Sequence, residues 1–271
     1  MDLNLSYKQS GSQLSFLVRK FVFLKSDEVN KVYLDKHIPD GACTLIFNFK
    51  GAVEISVDHQ KFIKLPTYFL ALPHFSFVNI KVKTPCDSFC VSCNASTFSR
   101  IFHLSLDKKE IPSFKNIADI IPESLYLSMA EENSNMERVK IFEKYVAENF
   151  ASAVCYRRDR IDEVYEVICN SNGLVNINAL ADGVKISTRS LRRNFLKRVG
   201  VTPKALCRIV RANFVLAALK NSSTIDFQDI VYSGNYFDQS HLVNDFKKII
   251  GESPGMFIKR DIRLLERMSG R

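Results

Sequence analysis

The chain has 271 residues, 46% hydrophobic and 25% charged, with a formal net charge of +9, and that length suffices for two domains. No run approaches the ~18 apolar residues of a membrane span, and the start, MDLNLSYKQSGSQL, lacks a basic segment followed by an apolar core. Seven cysteines are an odd count for a secreted disulfide framework, so the expectation is a soluble, cytoplasmic protein, not membrane-bound, with mostly reduced thiols.

Residues 14–103 read as mostly β. Phe16 to Leu24 is rich in Phe, Val and Leu. Cys43–Phe49 and Val53–Val57 flank Lys50-Gly51-Ala52, which predicts a hairpin. Further runs at Tyr68–Leu72, Phe75–Lys81 and Ser88–Ser92 are punctuated by Pro66, Pro73 and Pro85. Many short strands with turn signals predict a sandwich or small barrel. Thirteen of the 21 Phe precede residue 115, so the interior is aromatic-rich. Those rings can line an apolar ligand pocket or form the core any β domain buries, and the sequence leaves both open.

Cys86, Cys90 and Cys93 are spaced C-x3-C-x2-C. On a strand, Cys90 and Cys93 point to opposite faces. Small buried thiols are therefore favoured over a metal clip or thiol sensor. His37, His59, His74 and His103 are scattered and form no His-x-His pair. A metal needs ligands converging on one point, so no metal, cofactor or catalytic residue is expected. Met136, Val139, Phe142, Val146 and Phe150 recur at helical spacing. This stripe fits a dimerisation helix and a helix packed across the β domain about equally well.

Around Ala151–Tyr156 acidic helices give way to Arg157-Arg158-Asp159-Arg160, which sets expected domains of 1–155 and 156–271. Residues 156–271 hold 20 Lys/Arg against 12 Asp/Glu, a net of +8, whereas residues 1–155 net +1. The basic balance thus belongs to the C-terminal part, as in a phosphate-binding module. Ile161, Val164, Tyr165 and Ile168 stripe a first helix that Asn172-Gly173 stops.

A motif then occurs twice. Leu191, Phe195, Gly200 and Pro203 recur as Leu242, Phe246, Gly251 and Pro254, each 51 residues later. Each copy reads as a short apolar helix, a tight turn and an amphipathic helix ended by Gly and closed by Pro, the outline of a helix-turn-helix. The units fall at about 174–203 and 225–254. Ser187 is the candidate N-cap of the first amphipathic helix, and Leu191 and Phe195 share its apolar face. Arg189, Arg192, Arg193, Lys197 and Arg198 fill the remaining positions with no acidic residue among them. Such a helix suits a major groove. Thr202–Asn221 reads as a long connecting helix with Pro203 near its start, on which Arg208 and Arg211 contact phosphate or pack. Residues 261–271 form a basic tail.

At these residues the chain resembles the AraC/XylS family of bacterial transcription regulators. Asp238–Pro254 resembles the family signature, and Gly200–Arg211 resembles the passage from its first helix-turn-helix into its linker helix. The resemblance spans roughly 160–259. It implies an all-helical domain with recognition helices near 187–199 and 238–250, and base contacts from Arg189, Arg192, Arg193, Gln239, Ser240 and Asn244. Ser187, Lys197, His241, Lys247 and Lys248 complete the implied DNA-binding set. Asn244 stands where the family often has Arg, with Asp245 beside it, while Asn235 and Lys185 replace turn glycines. The second unit should therefore contribute less electrostatically than the first.

His37–Gly51 and Cys90–Leu106 resemble parts of a β-rich N-terminal domain found on some of these regulators. That resemblance implies a cupin-like sensory or dimerisation domain. Together they imply an α+β two-domain chain. Its N-terminal half is a β-rich cupin-like barrel or sandwich with flanking helices, and its C-terminal half is two helix-turn-helix units joined by a long helix. Double-stranded DNA is the implied partner, with a small-molecule effector, RNA polymerase and a second copy of the chain as further candidates. The rival reading is a cupin-type enzyme carrying a basic targeting domain. A non-specific single-strand binder would need aromatic residues interleaved with the basic surface, and these are absent.

Overall fold

The computed structural model describes residues 4–9, 14–57, 60–107, 114–118, 120–150, 156–221 and 227–259. The predicted basic tail and His59 lie outside them. The chain divides into two compact units. One comprises Met1–His37, Ala42–Leu72 and Val78–Arg157; the other comprises Arg158–Arg271 with the short segments Ile38–Gly41 and Pro73–Phe77.

The first unit is built on an antiparallel sheet of eight strands: β1 (Asn4–Gln9), β2 (Val18–Ser26), β3 (Val32–His37), β4 (Cys43–Ser56), β5 (Ile63–Lys64), β6 (Tyr68–Ala71), β7 (Val78–Cys93) and β8 (Phe114–Lys115). The order is β1-β2-β7-β4-β6-β8, with β3 on β7 and β5 on β4. No pairing joins β1 to β8 among the described residues, so the sheet is not closed into a barrel.

Two sequence expectations are corrected here. The predicted hairpin at Lys50–Ala52 is a bend inside one 14-residue strand, β4; of the predicted run Phe75–Lys81 only Val78–Lys81 is strand, and it is joined to Ser88–Ser92 within the 16-residue β7. The two strands pair along both halves, and the register shifts between Asn48 and Lys50 and again before Ala52. Gly51 has φ +85°, and a Cβ there would lie 2.6 Å from the Pro85 carbonyl oxygen. The kink is therefore a bulge that only Gly fits. Pro85 is tolerated because β7 changes neighbours there, from β3 up to Lys83 to β2 from Cys86.

The Phe-rich strands form the core. Phe21, Phe23 and Phe47 all stack on Phe89, and all four are buried. The helices of this unit are α1 (Ala95–Ile101), α2 (Glu123–Ala130) and α3 (Asn135–Asn149). On α3, Val139, Phe142 and Val146 are buried, and Phe142 sets its edge against Phe21 and Phe89. The stripe thus packs across the sheet, leaving only Met136, 42% exposed, at its start. Beside it, buried Arg138 forms a bidentate pair with Asp87 at 2.8 and 2.9 Å.

Cys86, Cys90 and Cys93 all lie on β7 as free thiols. Burial pushes the Cys86 and Cys93 thiols up, and Cys90 up to about 12. At neutral pH each is a protonated thiol, the unreactive form. Replacing all three with Ala is expected to leave DNA binding as insensitive to mild oxidants as the parent. An oxidation-dependent change in the parent's DNA affinity, lost in the triple variant, would refute this.

The second unit is helical: α4 (Arg160–Asn170), α5 (Ile177–Gly183), α6 (Thr188–Val199), α7 (Pro203–Asn221), α8 (Phe227–Ser233), α9 (Gln239–Ile250) and α10 (Pro254–Lys259). Asp159 caps α4 in a reciprocal capping box with Asp162. One core joins Ala212, Val215, Leu216 and Leu219 of α7 to Leu242, Phe246, Ile249 and Ile250 of α9 and Phe257 of α10. Ile38 and Phe75, from the two short segments, pack against it.

Candidate nucleic-acid interface

The two copies of the repeat are built by the same local chemistry. Ser187 is extended, and its hydroxyl accepts the Ser190 N–H at 3.2 Å to start α6. Asp238 accepts the His241 N–H at 2.7 Å to start α9. Each cap satisfies an N–H that the helix itself cannot. Both helices end on a left-handed glycine, Gly200 at φ +78° and Gly251 at φ +89°. The turns before them pass through Lys185 and Asn235 at φ +55° and +48°. Asn adopts this conformation readily, whereas Lys does so against a cost of roughly 1–2 kcal/mol.

Burial of the apolar stripes sets how each helix is rotated. Leu191, Phe195 and Val199 of α6 are fully buried, as are Leu242, Phe246, Ile249 and Ile250 of α9. The opposite face of α6 leaves Arg189, Arg192, Arg193 and Lys197 exposed, with Ser187 exposed at its start. The corresponding face of α9 leaves Gln239, Ser240, His241, Asn244, Lys247 and Lys248 exposed. All eleven residues of the implied DNA-binding set are therefore accessible on two similarly built helices. Lys197 with Arg198, and Lys247 with Lys248, also sit in the last turns, where cations oppose the negative end of the helix dipole.

Two charges read from the sequence as part of this surface belong to the fold instead. The Arg198 side chain is 19% exposed and divides its guanidinium between Asp159 at 2.8 Å and Asp162 at 2.9 Å. It stands seven residues after Leu191, two turns along, and so returns to the buried side. Asp245 is 4% exposed, lying between Leu242 and Ile249 within the apolar stripe. Its carboxylate accepts from Arg208 Nε at 3.0 Å and Nη2 at 2.5 Å. That hydrogen bonding raises the Arg208 pKa. The same guanidinium lies 4.6 Å over the ring of Phe75, so Arg208 is a packing residue. Asp245 does not offset the basic residues of α9 as the sequence suggested.

One exposed feature was missed. Phe237, just before the cap of α9, is 92% exposed. An apolar residue at that place ordinarily reads as a buried staple against the helix, so sequence pattern alone pointed the other way.

A helix-turn-helix domain family matches residues 180–260. A comparison with curated proteins finds no match. Among solved structures the chain is similar to ToxT from Vibrio cholerae, at 10% identity over 94% of this chain and 98% of that one, with a TM-score of 0.44. It is also similar to the AraC-like transcriptional activator CuxR, at 12% identity over 84% of this chain and 91% of that one, with a TM-score of 0.33. The C-terminal domain of AraT, a response regulator from Geobacillus stearothermophilus, matches 38% of this chain and 85% of its own at 18% identity, with a TM-score of 0.35. With its two capped, glycine-terminated units and the match over residues 180–260, the chain carries a helix-turn-helix domain of the AraC type at those residues.

Proposed function

We propose that the protein is a sequence-specific transcription regulator whose helices α6 and α9 each enter a major groove of duplex DNA. One observation carries the reading: on both helices the apolar stripe is buried while every residue of the implied DNA-binding set is exposed. Arg189, Arg192 and Arg193 are assigned to base edges, where Arg pairs in bidentate fashion with guanine. Gln239, Ser240 and Asn244 are assigned the same role on α9, where Gln or Asn suits adenine. Ser187, Lys197, His241, Lys247 and Lys248 are assigned to the backbone. The first unit anchors, because α6 exposes four cations and α9 two, and each phosphate neutralised steepens the log–log slope of affinity against salt by roughly 0.9.

The proposal takes 156–271 as the DNA-binding region and 1–155 as the region for effector response or self-association. The second part rests on the resemblance of His37–Gly51 and Cys90–Leu106. The first is tested by selecting bound duplexes from a randomised pool with the full-length protein. Recovery of a shared sequence is expected, and a pool with no enrichment would refute the reading. Arg193→Ala should then lose ~1–3 kcal/mol more on the selected duplex than on random DNA. Equal losses at matched salt would reduce Arg193 to a phosphate contact. Stoichiometric iron, manganese or zinc in the purified protein would favour the enzyme reading instead.

A further inference from the structure

A cleft of about 580 Å³ opens within the helical unit. It is lined by residues 175–178, by Lys204, Cys207, Arg208 and Arg211 of α7, and by His241 and Asp245 of α9. Lys204, Arg208 and Arg211 follow one another at spacings of four and three, which places them on one face of α7. The lining has a single acid, Asp245, and Arg208 already satisfies it. The cleft is therefore net positive, its charge carried by Lys204 and Arg211.

Those two cations are in different states. Lys204 is exposed. Arg211 lies 5.0 Å over the Tyr236 ring and donates from Nη1 to the Asn235 carbonyl at 3.2 Å. Its Nε is buried with no acceptor among the described residues. A buried charged donor left without an acceptor is costly. Lys204 and Arg211 are seven residues apart, about 10 Å along a helix, too far to share one small anion. Two of the lining residues adjoin α6 and α9. Asn178 Oδ1 accepts from the hydroxyl of Thr188, the first residue of α6, at 3.4 Å, and His241 follows Ser240 on α9.

We infer that this cleft seats the phosphodiester backbone of the DNA strand that crosses between the two grooves. Lys204 and Arg211 contact neighbouring phosphates, and His241 lies at the rim. The inference rests on the reading of α6 and α9 as groove-entering helices, and it adds a third contact region on α7 between them.

The test uses the full chain and a duplex selected by the wild-type protein. Affinity is measured against salt for Lys204→Gln, Arg211→Gln and the double variant. Each lost phosphate contact should flatten the log–log slope by roughly 0.9, so the double variant should lose close to two units. A slope unchanged in Lys204→Gln overturns the inference even if Arg211→Gln fails to fold, because Lys204 is exposed and its loss leaves the core intact. Thermal melts in inorganic phosphate and in chloride at equal ionic strength separate the two sources of phosphate. No difference is expected. A phosphate-specific rise that the double variant loses, with unchanged DNA slopes, would assign the cleft to a free anion and overturn the backbone reading. If the wild type enriches no duplex, the parent proposal fails. If it enriches one and the variants keep its slope, only this inference fails.

Discussion

Replacing Phe195 or Phe246 with alanine is expected to lower the stability of the helical unit by about 3–5 kcal/mol. Each ring is fully buried. Phe246 sits in the core shared by α7, α9 and α10, with the ring of Phe257 set edge-on at 6.1 Å. Removing either ring leaves a cavity whose walls belong to several helices, so local collapse refills little of it. The loss should also weaken DNA binding, since these rings determine which face of α6 or α9 points outward. Melts should be made on the full chain, because Ile38 and Phe75 from the N-terminal half pack against this core and a fragment beginning near residue 156 would lack them. Transitions unchanged from the parent in both variants would show that neither ring is part of the core.

Asp245→Ala should also destabilise, by about 2–4 kcal/mol, without improving DNA binding. On net charge alone, deleting a carboxylate next to Asn244 ought to tighten the grip on phosphates. The structure argues the opposite. The carboxylate is buried and receives two hydrogen bonds from Arg208, whose side chain is only 29% exposed. Removing it leaves a guanidinium held among Phe75 and the helices without its counter-charge. Breaking a buried pair from one side costs more than replacing the whole pair with apolar residues. The double change Asp245→Leu with Arg208→Met should therefore recover much of the lost stability. The measurements are denaturant unfolding and the salt dependence of DNA affinity. A variant with parental stability and a steeper salt slope would place Asp245 on the DNA-facing surface.

The helical unit was largely legible in the sequence because its information is local. Ser187 caps α6, Gly200 and Gly251 end α6 and α9, and the Leu-Phe spacing sets the buried face of each; all three effects act within a few residues. The same periodicity could have excluded Arg198 and Asp245 from the outer face, since both stand at stripe positions. Their charge made them look like surface residues because pattern shows which side a residue faces but not what it meets there. Their partners lie far along the chain. Arg198 pairs with residues 36 and 39 positions away, and Asp245 with one 37 away.

The β unit was legible in composition and less so in topology. Val, Ile and Phe runs marked strand-forming segments, but Gly51 and Pro85 resembled chain reversals. Whether a Gly turns a chain back or merely bends it depends on what pairs with the residues on either side. Here β4 and β7 each supply one continuous partner for the other, a long-range pairing that nothing near Gly51 encodes.

The sequence by itself determined the two-part organisation, the doubled helix-turn-helix and the basic outer face of α6, because capping, helical period and net charge are properties of short stretches. Only the tertiary structure decided that Arg198 and Asp245 are spent inside the fold and that Lys204 and Arg211 line a positive cleft with α9. It also decided that residues 38–41 and 73–77 belong to the helical unit. The physical reason is the same in each case: hydrogen bonds and ion pairs between distant residues set where a charge is neutralised, and no local pattern carries that information.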